Sequence, residues 1–157
     1  MTRELTLSSD AWNAISRHAE AEFPDECCGV IFFDGSNDHV QRLRNIQNQL
    51  NALDPQTYPR TAVIAYAIDP RELETAIDQA GRSGAKLKAF YHSHPDHDAY
   101  FSEEDKAFAC PFGEPTFPTT AQIVISIYNR AVRVIRAFGW SEEERDFVEL
   151  PIKHSPS

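Results

Sequence analysis

The run Gln122–Tyr128, QIVISIY, and the run Val132–Phe138, VRVIRAF, flank the short turn Asn129-Arg130-Ala131. β-Branched and aromatic residues crowd both runs, and two such runs joined by a polar turn read as a hairpin. A two-stranded hairpin is marginal in water, so this one needs more strands or a helix laid against its apolar face. The rest of the chain supplies both. Cys28–Phe33, CGVIFF, reads as a buried strand, and the polar turn DGSND leads back into a second strand at His39–Leu43. Thr61–Ile68 and Leu87–Tyr91 read as two further strands.

Helices fall between them. Ser8-Ser9-Asp10 offers an N-cap, after which Trp12, Ile15, Ala19 and Phe23 recur at helical spacing. Pro24 disfavours helical geometry at Phe23 and ends that helix. Asp69-Pro70-Arg71-Glu72 combines a capping Asp, a proline at the first helical position and an acidic first turn. Leu73, Ala76, Ile77 and Ala80 then form an apolar stripe, closed by Gly81 and Gly84. Ser102–Ala109 reads as a third, short helix. Asn45–Arg60 is expected as a long polar loop and Cys110–Thr120 as a Pro- and Gly-rich connection. Asp146–Ile152 reads as an edge strand before a disordered KHSPS tail. The expectation is one α+β domain over residues 1–152 with a tail at 153–157. Its sheet is mixed, mainly antiparallel and curved, with about three helices beside it.

Charge narrows the partners. With 24 acidic and 15 basic side chains the chain carries a net charge of −9, which argues against nucleic acid and against anionic membrane surfaces. No apolar run approaches a membrane span, and the opening MTRELTLSSD lacks the apolar core of an export signal. The three cysteines, Cys27, Cys28 and Cys110, cannot all pair, which fits a reducing cytoplasm, and the lack of a CxxC pattern disfavours a thiolate zinc site. The expected location is cytoplasmic.

The strand Leu87–Tyr91 runs straight into His92-Ser93-His94-Pro95. Side chains alternate along a strand, so His92 and His94 point to one face, as two ligands of one ion must. Pro95 then stops the strand. Ser102-Glu103-Glu104-Asp105 is on its own a helix-start signature. Its added possibility is that Asp105, in the first turn, projects back toward the histidines. Two imidazoles and one carboxylate leave a fourth position of a tetrahedral zinc open, the pattern of catalytic sites.

The spacing His92-x-His94-Pro95, six residues, then Ser102-x-x-Asp105 resembles the signature of the JAMM metalloproteases, also called the MPN+ or JAB family. The upstream PDECCGV, with Glu26 just before the CGVIFF strand, resembles the glutamate segment of compact bacterial members. The resemblance implies an MPN-like domain and a zinc isopeptidase acting on ubiquitin-like proteins. It further implies that His92, His94 and Asp105 hold one Zn2+, that Glu26 is the general base and later the acid, and that Ser102 stabilises the oxyanion.

The implied partner is a ubiquitin-like or sulfur-carrier protein of β-grasp fold, cut after its C-terminal Gly-Gly, either to release a modifier or to process a precursor. Its extended tail would lie in a groove reaching the metal. The alternative is a non-catalytic MPN scaffold or binding module. That reading requires a missing ligand or glutamate, and all five positions are filled. A zinc deaminase would carry HxE and PCxxC, and neither is present. His97, Asp96 and Asp98 read as solvated side chains of an acidic loop. Phe101 reads as a loop anchor, Tyr100 as either an anchor or a groove wall, and Cys110 as a core residue. Cys27 and Cys28 face opposite ways, one buried and one nearer the cleft.

Overall fold

Ser8 both ends a strand and caps a helix. In the computed structural model, which describes residues 3–156, β1 (Leu5–Ser8) runs directly into α1 (Ser9–Glu22), whose first turn is capped by Ser8 Oγ accepting the Ala11 amide. The chain continues through β2 (Cys28–Phe33), β3 (Asp38–Leu43), α2 (Gln47–Leu53), α3 (Pro70–Arg82) and β4 (Lys86–Pro95). It closes with α4 (Glu103–Ala109), β5 (Ala121–Tyr128), β6 (Ala131–Ser141), β7 (Asp146–Leu150) and β8 (Ile152–Ser155). The class is α+β, as expected.

Six strands form one open sheet in the order β3-β2-β4-β5-β6-β7. Every neighbouring pair is antiparallel except β4–β5, which is parallel. Period-two alternation then sorts the side chains. Ile31, Ala89, Tyr91, Ile123, Ile125 and Ile127 turn to the face covered by α1 and join Ala11, Ile15 and Ala19 in the main core. Val30, Phe32 and Phe90 turn to the opposite face and meet Ala76 of α3. Farther along that second face, Phe101, Val124, Trp140 and Phe147 make a third cluster. His92 and His94 share the parity of Phe90, so they emerge on the second face.

Several expectations need correcting. Asn45–Arg60 is not wholly irregular, because α2 lies within it. Only seven residues long, that helix buries Gln47 and leaves Leu53 exposed, so apolar spacing does not mark its packed face. Thr61–Ile68 is not a strand. Both edges of β4 are taken by β2 and β5, and the segment's backbone is bonded instead to Glu26 and Asn45. The helices therefore number four, not three, among the described residues. The last residues also differ, since Ile152–Ser155 pairs in parallel with Leu5–Ser8. Two four-residue strands from opposite ends of the chain carry too little local pattern to be read singly. No helix among the described residues is long and apolar enough to cross a membrane.

Candidate metal centre

β4 delivers two imidazoles to one face. His92 lies opposite Cys28 on one side and Val124 on the other, with His94 opposite Ser126. The third group comes from the start of α4. Ser102 is the N-cap there, its Oγ accepting the Asp105 amide at 3.0 Å, while Asp105 Oδ2 accepts the Ser102 amide at 3.0 Å. This reciprocal box holds the Asp105 carboxylate in one rotamer. The same Oδ2 lies 3.1 Å from His92 Nε2 and 3.3 Å from His94 Nε2, and the two Nε2 atoms are 3.1 Å apart.

Three buried ligand-type atoms thus converge at one point. Corners of a tetrahedron with bonds of about 2.0 Å are about 3.3 Å apart, so the spacing fits a small tetrahedral ion. The donor set, two imidazole nitrogens and one carboxylate oxygen, suits zinc. His94 Nδ1 donates to the Asp98 carbonyl at 2.9 Å, which leaves the lone pair of Nε2 facing the centre.

The sequence pattern of the prokaryotic homologues of the JAB domain matches residues 8–140, a span from the cap of α1 into β6 that includes His92, His94, Ser102 and Asp105. The chain belongs to this family. It is 30% identical over 106 residues to a desampylase of Haloferax volcanii, a match covering 65% of this chain and 70% of that protein. A protein from Desulfitobacterium hafniense has a solution structure similar over 98% of this chain and 94% of its own, with a TM-score of 0.72 at 23% identity. One from Salinibacter ruber is similar over 96% and 91%, with a TM-score of 0.62 at 23% identity. The two structures bear on the fold alone.

In this JAB domain His94 and Asp105 line a cleft of about 360 Å³, and His92 is buried next to them. Glu26, Arg60, Tyr66, Ser102 and Glu104 are among its walls. Glu26 precedes β2, and its backbone is fixed by donation to the Ala62 carbonyl at 2.7 Å and by acceptance from Asn45 Nδ2 at 2.9 Å. Burial, then the nearby Asp105 charge, push its carboxyl up to about 9 against a smaller opposing pull from Arg60. Burial alone would raise Asp105 too, but the charge and hydrogen bond of His92, with His94 and the Ser102 amide, hold it well below the usual carboxylate range. Two carboxyls sharing one cleft are thus driven apart by their surroundings, one toward the neutral form and one firmly ionised. Burial lowers His92, outweighing the attraction of Asp105.

The structure brings Glu26, His92, His94, Ser102 and Asp105 to one place. Phe101 is buried in the third cluster, and half-exposed Tyr100 sets its ring edge-on to His94 at 5.1 Å. Cys27 and Cys28 turn to opposite faces of the sheet, Cys27 into the main core and Cys28 onto the face that carries His92, and both are fully buried. Burial pushes the Cys27 thiol up to about 12 and raises Cys28 as well, so neither is a thiolate. Cys110 is half-buried beside the third cluster, rather than fully in the core. Asp98 contributes a backbone carbonyl to His94, and its side chain accepts from Tyr128 at 3.1 Å. Sequence reasoning misses this contact, because a carbonyl leaves no trace in residue identity. It also misses Asn45, Tyr66 and the 2.7 Å Arg60–Glu104 ion pair in the cleft lining.

Proposed function

We propose that this JAB domain is a zinc-dependent peptidase or isopeptidase. Its substrate would be a ubiquitin-like or sulfur-carrier protein of β-grasp fold, cut after the C-terminal Gly-Gly in deconjugation or precursor processing. The observation that carries the reading is the convergence of His92 Nε2, His94 Nε2 and Asp105 Oδ2 at 3.1–3.3 Å, beside a cleft that His94, Asp105, Glu26 and Ser102 line. Family membership and the likeness to a desampylase support the substrate class.

His92, His94 and Asp105 would hold the ion. Bound there, zinc supplies Lewis acidity, which acidifies water and polarises a carbonyl. The protein's own groups do the rest. Glu26, once ionised, takes a proton from the attacking water as its oxygen bonds to the scissile carbonyl carbon. It returns that proton to the leaving nitrogen as the C–N bond breaks, so the acid and base duties fall on one carboxyl. Ser102 Oγ accepts from Asp105 and keeps its own proton for donation into the cleft, where the carbonyl oxygen gathers charge.

The test is cleavage of a β-grasp protein carrying a short extension after Gly-Gly, with and without a chelator, followed by mass spectrometry. Chelator-sensitive release of the extension after the second glycine is the expected result. One equivalent of bound zinc with no cleavage of any such tail overturns the substrate assignment. No bound metal restores the scaffold reading.

A further inference from the structure

The two histidines are held in different ways. His94 is oriented by a hydrogen bond from Nδ1 to the Asp98 carbonyl at 2.9 Å. His92 Nδ1 is buried and has no hydrogen-bond partner among the described residues. A ligating imidazole ordinarily has its second nitrogen fixed by an acceptor, which sets both tautomer and ring angle. His92 lacks that device.

A ring takes its place. Tyr66 lies on the His92 imidazole with centroids 4.4 Å apart and planes 24° from parallel, the one stacked contact His92 makes among the described residues. His94 and Phe101 meet His92 only at tilted angles of 57° and 53°. Tyr66 is in turn clamped. Asn45 Nδ2 donates to the Ala65 carbonyl at 3.1 Å and Asn45 Oδ1 accepts the Ala67 amide at 3.1 Å, so one side chain grips the peptide on both sides of Tyr66. The same amide group also donates to the Glu26 carbonyl at 2.9 Å and accepts the Gln47 amide at 3.0 Å. All four hydrogen-bonding positions of Asn45 are therefore used. Tyr66, together with Phe108, lines both the cleft and a second, apolar cavity of about 190 Å³.

We propose that Tyr66 is a positioning residue for His92: its clamped ring, stacked on the imidazole, does the orienting that a hydrogen bond does for His94. The inference rests on the metal-centre reading above. It explains why the irregular segment around residues 61–68 is tied so closely to Asn45, when no strand ladder holds it.

The experiment compares Tyr66→Phe and Tyr66→Leu with the parent chain. In the metal-free protein, imidazole NMR should show the His92 ring protons shifted upfield by the Tyr66 ring. That shift should persist in Tyr66→Phe and be lost in Tyr66→Leu. Zinc affinity, measured by competition with a chromophoric chelator, should fall about 10- to 100-fold in Tyr66→Leu and stay at the parent value in Tyr66→Phe. An unshifted His92 ring in the parent overturns the proposal even if Tyr66→Leu fails to fold. So does a Tyr66→Leu protein with parent-like affinity, or a Tyr66→Phe protein as impaired as Tyr66→Leu, which would assign the effect to the hydroxyl. If the parent takes up no zinc, the metal-centre reading fails, while the metal-free spectra still decide whether Tyr66 orients the ring.

Discussion

Ser93 Oγ accepts the Cys27 amide at 2.8 Å, and the Ser93 amide donates to the Cys27 carbonyl at 3.1 Å. The residue between the two histidines is thereby bolted to the residue that follows Glu26. Ser93 points away from the cleft, so the bolt sits on the α1 face while the working side chains sit on the other. Ser93→Ala strands a buried N–H and should cost about 1–3 kcal/mol, read by urea denaturation. Turnover should fall with it, while zinc affinity stays near the parent, because the three ligand groups keep their own supports. Unchanged stability would show that the Cys27 amide finds another acceptor.

Asp105 and Glu26 should separate binding from turnover. Asp105 Oδ2 serves the Ser102 amide and faces both imidazoles. Asp105→Ala should therefore abolish zinc uptake and activity together, and also weaken the start of α4. Glu26→Gln keeps the shape and the zinc but removes the proton carrier, and it should lower kcat by about 10²- to 10⁴-fold. Metal content by atomic absorption, set beside kcat, checks both. Full hydrolysis by Glu26→Gln would sink the role given to that carboxyl.

Much of the centre was legible because its parts are local. Two ligands one residue apart on a strand need only the strand's alternation, and Ser102-x-x-Asp105 announces a capped helix whether or not a metal is present. The supports are not local. Asn45 reaches Glu26, Ala65 and Ala67 across about 20 residues on either side, and within its own neighbourhood it is one polar residue in a polar stretch. The same holds for Thr61–Ile68, whose residues suit a strand. With both edges of β4 already occupied, the segment instead crosses the site and delivers Tyr66 to His92. The hairpin of β5 and β6 needs no such distant information, although its turn is Asn129-Arg130 alone, since Ala131 already pairs with Tyr128 as the first residue of β6.

Gly29 is required by a ring on the neighbouring strand. It lies opposite Tyr91 in the β2–β4 register, and a Cβ built on it would fall 2.4 Å from the Tyr91 ring. Tyr91 cannot easily yield, since it is fully buried and its hydroxyl is 2.7 Å from His18 Nδ1. Gly29→Ala should lower stability by about 1–3 kcal/mol through overpacking, measured as a fall in Tm of the metal-free protein. It should also disturb β4 just before His92. A variant as stable as the parent would mean that β2 and β4 can part without loss.

His18 makes stability depend on pH. It is buried on α1, hydrogen-bonded to Tyr91, with Glu22 Oε1 at 3.9 Å and Arg42 nearby. Burial first, then Arg42, lower its pKa to about 4, against 6.5 for the unperturbed side chain. Between those two values the unfolded chain binds a proton that the folded chain refuses. Stability from this group is therefore complete above pH 6.5 and declines as the pH falls toward 4. The full effect is at most about 3 kcal/mol. His18→Gln cannot titrate and should flatten that part of the curve, so the difference in unfolding free energy between variant and parent should shrink as the pH drops from 7 to 4. Parallel curves over that range would show that His18 takes up its proton without leaving its place beside Tyr91.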